Sequence, residues 1–310
     1  MKRKIQKIGG SFYLNLPMNW INNRKISENS ELEIIIQNDG SLKIAPEIEI
    51  QPKESENHVI LPSERYVARQ VIRKCLTGSR TIIVQSKEPI EEDIRKDIYR
   101  FIKKLPSAEV IDENETKIIV QNFRYNSIPT KQAIKRMHQL TCKIFDNLLE
   151  GNIININDYI EEIDRFFIIV IIHIRHFLTH EIYSGSTNNQ EFMPIEALDY
   201  RMLAENIQRI SKLINVTLDL HKYYGIELSV LDPRVKAFGK KVRDLFDGAM
   251  KCFFKGDSDR ACEIWEMNYK LVEEAEEIHL KELETELDRL IVVNFLRIAD
   301  YSKRISDLVP

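Results

Sequence analysis

Residues 244–257 read DLFDGAMKCFFKGD, and residues 139–152, QLTCKIFDNLLEGN, repeat the pattern 105 positions earlier. Leu140, Leu148, Leu149 and Gly151 fall on Leu245, Phe253, Phe254 and Gly256, so the same apolar spacing ends at the same glycine. A second echo, at an offset of 91, sets Ile207, Ser211, Lys212 and Ile214 against Ile298, Ser302, Lys303 and Ile305. The first copy must then hold about fourteen extra residues, and the polar stretch 184–190 is the natural place for much of them. Self-similarity on this scale implies duplicated helical units sharing a core.

Six helical stretches follow from the apolar periodicity: 129–150, 157–183, 193–223, 232–255, 258–279 and 281–308. Leu283, Leu287, Leu290 and Ile291 mark a buried stripe at three and four spacing, and Asp232-Pro233 is an N-terminal signal with Pro at the first helical position. Residues 127–310 are thus expected to form an all-α bundle of two three-helix repeats.

With 310 residues the chain is long for one hydrophobic core, and its 43% hydrophobic and 30% charged content is that of a folded soluble protein. The richest apolar run, 166–174, is interrupted by His173 and followed by Arg175, well short of the roughly 18 to 20 apolar residues of a membrane span. No apolar segment follows the N-terminal cations, so a secretory signal and membrane insertion are not expected, and a cytoplasmic location is. Cys75, Cys142, Cys252 and Cys262 form no CxxC pair, which fits reduced thiols. Charge is distributed unevenly: residues 1–25 carry six Lys or Arg and no acid, whereas 257–288 carries twelve acids against three bases. One end can meet a polyanion that the other would repel. The acidic run with Glu273, Glu274, Glu276 and Glu277 reads as a docking face for a basic partner or as ordinary solvated helix.

Residues 1–50 read as short strands. Segments 4–8 and 12–16 alternate around Gly9-Gly10, Pro17 opens a short helix through Trp20 and Ile21, and 31–36 and 41–44 flank Asn38-Asp39-Gly40, a strong hairpin signal. So small a unit buries little apolar surface alone, and a second copy is expected to complete its core. Residues 51–126 read as a small α/β linker domain in the order helix, strand, helix, strand, strand (66–76, 80–85, 90–104, 108–111, 116–120), without a phosphate-cradling glycine loop. The fold class expected is multidomain α+β.

KIGGSFYLNLP (7–17), the short helix and the hairpin ending DGSLKIAP (39–46) resemble the swapped-hairpin domains of the AbrB/SpoVT family. That resemblance implies a homodimer interlaced through the N-terminal hairpins and a basic surface on DNA, with Lys2, Arg3, Lys4, Lys7, Arg24 and Lys25 as phosphate contacts; pure dimerisation is the other use of that fold. Further on, FFKGDSDRACEIW (253–265) and FLRIADYSKRISDLV (295–309) resemble the turn and the third helix of PhoU, a family of cytoplasmic regulators of phosphate uptake. The order of domains is similar to that of archaeal PhoU-domain proteins. The resemblance implies transcriptional regulation of phosphate homeostasis and docking on a phosphate-transporter ATPase or a phosphate-signalling protein.

PhoU-family helices carry pairs of acids four residues apart that bind iron or zinc clusters. By position, Asp164, Glu205 and Asp300 correspond to such acids, while Ile160, Arg209 and Leu296 stand where their partners belong, and Asn268 and Val272 replace a whole pair. An arginine is electrostatically hostile to a metal cluster, so fold and role transfer better than metals. A second ligand set is local to this chain: His173, His176 and His180 share a helix face, with Glu181 beside them, and could hold zinc or nickel, or could be structural histidines. No nucleophile elbow, HExxH or Walker loop is present, and a non-enzymatic protein is expected. A metal-binding protein and a dimeric scaffold that never touches DNA remain the alternatives.

Overall fold

The computed structural model describes residues 3–36, 40–46, 58–123, 128–152, 154–178, 193–225, 231–280, 283 and 285–309. In the head, β1 (Gln6–Ile8) pairs antiparallel with β2 (Ser11–Tyr13), α1 (Met18–Asn23) follows Pro17, and β3 (Leu32–Ile36) pairs antiparallel with β4 (Leu42–Pro46). The hairpin expected across residues 38–40 is present; Asn38 and Asp39 lie outside the described residues, and Gly40 has a φ of 77°. Cross-strand partners share a face, so the register Ile34↔Ile44 and Ile36↔Leu42 gathers four large apolar side chains on one side of the ribbon. None of the described side chains from Arg3 to Pro46 is buried.

The middle unit holds one strand more than its pattern announced. β5 (His58–Pro62), α2 (Val67–Leu76), β6 (Thr81–Gln85), α3 (Glu92–Ile102), β7 (Ala108–Glu113) and β8 (Lys117–Asn122) build a four-stranded sheet in the order β5-β6-β8-β7. The α2 crossover makes β5 and β6 parallel; the other pairs are antiparallel, with a bulge between Val110 and Asp112. Alternation places Ile82 and Val84 of β6 and Ile118 and Val120 of β8 under Val67, Val71, Ile98 and Ile102 of the two helices. Asn122 ties the layers: its Nδ2 donates to the carbonyls of Cys75 and Ser79 (both 3.0 Å), and its Oδ1 accepts from Ser107 Oγ (2.9 Å).

Six long helices complete the chain: α4 (Thr130–Glu150), α5 (Ile156–His176), α6 (Pro194–Tyr224), α7 (Pro233–Lys255), α8 (Ser258–Leu280) and α9 (Glu286–Ser306). α4, α5 and α6 pack on one another, as do α7, α8 and α9; the two groups meet through α4 against α7 and α6 against α9. Gly151 and Gly256 end α4 and α7 in left-handed backbone (φ 77° and 64°), a conformation that costs glycine nothing. Ile207, Ser211 and Ile214 of α6 are buried, and so are Ile298, Ser302 and Ile305 of α9. The helix expected from 281 begins instead at Glu286, because Thr285 Oγ1 accepts from the Asp288 amide (3.0 Å) and caps it there. The described part of α5 ends at His176, and the polar stretch 184–190 lies outside the described residues. Ile168 of α5 packs against the middle core, seating that unit on the bundle.

Asp232 caps α7 by accepting from the Arg234 amide (2.8 Å), ahead of Pro233. Asp232→Ala is expected to lower stability by about 1 kcal/mol, the usual loss for an N-cap, as measured by urea denaturation at pH 7. The Arg234 side chain beside it holds the Asp232 carboxyl below its ordinary value. A depressed carboxyl stabilises the fold above the unfolded range and loses that contribution as pH falls below about 4. The gap between Asp232→Ala and the unsubstituted protein should therefore narrow on acidification.

Candidate functional site

Each acid expected to ligate a metal is engaged within the bundle. Asp164 Oδ1 on α5 accepts from Gln208 Nε2 on α6 at 2.6 Å. Glu205 stands between Arg201 (2.8 Å) and Arg209 (2.7 Å), each one turn away on α6, and Arg209 followed by Arg201 holds its carboxyl below the ordinary value against the opposing pull of burial. Arg209 also donates to the Tyr301 hydroxyl of α9 (3.3 Å), and Asp300 pairs with Arg304 at 2.9 Å. Arg209, which stands where an acid was expected, thus takes up Glu205 together with Arg201, and Arg304 takes up Asp300, all as i, i+4 pairs. Asp164, Glu205 and Asp300 do not converge on one point.

His173 is half-buried with its Nδ1 3.3 Å from Thr130 Oγ1, His176 is exposed, and His180 and Glu181 lie outside the described residues. In the head, Arg3, Lys4, Lys7, Arg24 and Lys25 are all exposed, and Lys2 lies outside the described residues. Lys7 Nζ sits 5.9 Å from the centre of the Phe12 ring, opposite it in the β1–β2 register.

Among the described residues, the group of metal-ligating side chains that does converge is His138, Cys142 and Asp247, whose ligand atoms all lie within 4.8 Å of one another. His138 and Cys142 are four apart on α4, hence on one face; Asp247 approaches from α7. Asp247 Oδ1 lies 3.0 Å from His138 Nε2 but out of line with it, so that buried nitrogen has no hydrogen bond. Asp247 Oδ2 is held by Lys251 at 2.7 Å and faces Arg243 at 3.7 Å, and Arg243 also donates to Asp146 by hydrogen bonds of 2.8 and 3.0 Å. Burial holds the His138 imidazole below its ordinary value despite Asp247, and burial pushes the Cys142 thiol up to about 12. Sequence reading missed this group, although the 105-residue offset sets Cys142 on Asp247 and His138 on Arg243. Equivalent positions of two helices that pack together are where side chains from both meet.

The architecture is that of a β-rich head and a small α/β unit joined to a double three-helix bundle. Residues 235–309, spanning α7 to α9, match the PhoU domain family. No curated protein and no solved structure matches the chain significantly. Among the described residues, no helix is long and apolar enough to cross a membrane.

Proposed function

We propose that this chain is a cytoplasmic regulator of phosphate uptake whose two three-helix groups are duplicated PhoU-like units. The observation that carries this reading is the PhoU domain match over the second group. The 105- and 91-residue echoes extend it to the first. The bundle docks on a phosphate-transporter ATPase or a phosphate-signalling protein, while the head dimerises through exchanged hairpins and sets Lys2, Arg3, Lys4, Lys7, Arg24 and Lys25 against DNA. The bare apolar face of β3–β4 and the acid-free N-terminal stretch support the second half of this assignment.

Retrieval of the tagged chain from native cells, grown in high and in low phosphate, tests the docking role. Recovery of a transporter ATPase that changes with phosphate supports it; recovery of neither ATPase nor phosphate-signalling protein under either condition rejects it. Gel-shift titration tests the head. Phosphate contacts make affinity fall steeply with salt, and losing two of them shallows the slope of log K against log salt by about 2. Arg24→Ala with Lys25→Ala is expected to do this on duplex DNA. Absence of binding even at low salt would reject DNA contact and leave the head as a dimerisation unit.

A further inference from the structure

We propose that His138, Cys142 and Asp247 form a binding site for a divalent transition-metal ion of zinc type, bridging α4 and α7 and so joining the two three-helix groups. The reading is independent of the regulatory role and of the acids discussed above.

Four features of the geometry carry it. An imidazole nitrogen, a sulfur and a carboxylate oxygen converge within 4.8 Å, from one turn of one helix and a second helix packed against it. The imidazole nitrogen is buried and unsatisfied although an acceptor stands 3.0 Å away, so the arrangement serves a hydrogen bond poorly. Two ligands at roughly 2.0 to 2.1 Å from one tetrahedral zinc ion lie about 3.3 Å apart, close to the separation found. Finally, Lys251 takes Asp247 Oδ2 and leaves Oδ1 facing His138, as an outer partner orients a ligating carboxylate.

The donor set selects the ion. Calcium and magnesium want oxygen ligands throughout, whereas a mixed thiolate, imidazole and carboxylate set suits zinc and its borderline neighbours. Three protein ligands leave a fourth tetrahedral position for water or an exogenous donor. The neutral imidazole favoured by burial is the ligating form. The Cys142 thiol is protonated without metal, so the sulfur–hydrogen bond gives way to a sulfur–metal bond and the proton passes to solvent. The ion's two positive charges then meet one thiolate and one carboxylate, the latter shared with Lys251 and, at 3.7 Å, with Arg243, whose other counterion is Asp146. The edge of His138 against the Phe246 ring, 5.3 Å between centroids, fixes the imidazole in the helix interface.

The test uses the full chain, stripped with chelator and titrated with Co(II), whose thiolate complexes absorb by charge transfer in the near ultraviolet. The expected result is one ion per chain with that absorption and a rise in Tm. Cys142→Ser should abolish the absorption, although Cys75, Cys252 and Cys262 remain. Asp247→Asn should weaken binding at least about 10-fold, since even outer-shell partners of a metal change affinity by about 10- to 100-fold. Asp300→Asn should leave both absorption and affinity unchanged. Circular dichroism of each variant without metal establishes that it folds, and Asp247→Asn preserves shape should Cys142→Ser not. The proposal is overturned if the stripped protein takes up no cobalt, if the absorption survives in Cys142→Ser, or if Asp300→Asn removes it.

Discussion

Ile34→Asp combined with Ile36→Asp is expected to turn a dimer into a monomer, read as a halving of molar mass by light scattering, with the thermal melt of the helical bundle unchanged. Within one chain the β3–β4 ribbon leaves Ile34 62%, Ile36 73% and Leu42 62% exposed on a single face, and none of the described residues of its head covers them. Across the small hairpin, Phe12 is 72% exposed as well. A contiguous apolar face of this kind marks an association surface. Burying each large aliphatic side chain contributes about 1.5 to 3 kcal/mol, so two positions counted on both chains are worth about 6 to 12 kcal/mol. That is comparable with the whole association energy of a micromolar to nanomolar dimer, about 8 to 12 kcal/mol, and aspartate adds the cost of desolvating a charge. The two substitutions lie on one strand, so neither sets like charges directly across the β3–β4 register. A mass that stays at that of the dimer would show that the copies associate elsewhere, and a chain already monomeric without substitution would remove the exchanged-hairpin head altogether.

What the sequence disclosed depended on whether the signal was local. The long helices were legible because apolar period, N-caps and terminal glycines agree: Asp232-Pro233 opens α7 and Gly256 closes it, as the residues alone imply. The hairpin β3–β4 was legible for the same reason. β5 was not, because only Val59, Ile60 and Leu61 carry its apolar character, and its identity as a strand comes from parallel pairing with β6, 23 residues on. Among site residues, the positions of Asp164, Glu205 and Asp300 on their helices were readable, and so in principle was the engagement of the last two. Arg201, Glu205 and Arg209 stand one turn apart, as do Asp300 and Arg304, so Glu205 and Asp300 each have a cation as a helical neighbour, whereas Asp164 is engaged by Gln208 from the neighbouring helix and was not readable in this way. The His138, Cys142 and Asp247 group escaped because it is a tertiary fact. Two of its members share a helix face, but the third arrives only when α7 packs against α4.

Gly239→Leu is expected to destabilise the bundle strongly, and Phe295→Ala to do so by about 3 to 5 kcal/mol, yet the double substitution should cost less than the sum. Gly239 lies in the middle of α7, where glycine is about 1 kcal/mol worse than alanine on helix propensity alone. Packing outweighs that preference: a β-carbon there would stand 2.6 Å from Phe295 Cε2 on α9 and 2.7 Å from Leu149 Cδ2 on α4. Leu149 can turn aside, but the Phe295 ring is fully buried and stacked on Phe145 with centroids 5.5 Å apart, so it has no room to yield. Even Gly239→Ala should therefore lose about 1 to 3 kcal/mol to overpacking in chemical denaturation. The echo locates the corresponding positions in the first helical group at Ile134 and Ala204, both fully buried. There the large residue is on the first helix and the small one on the third; in the second group the sizes are reversed. Such an exchange keeps the volume of the interface constant while moving it from one helix to the other, which is why Gly239→Leu should be partly rescued by Phe295→Ala. Coupling of about 0.5 to 3 kcal/mol in the double-mutant cycle is the expected measurement, and strict additivity would mean that the two positions do not share one packing volume.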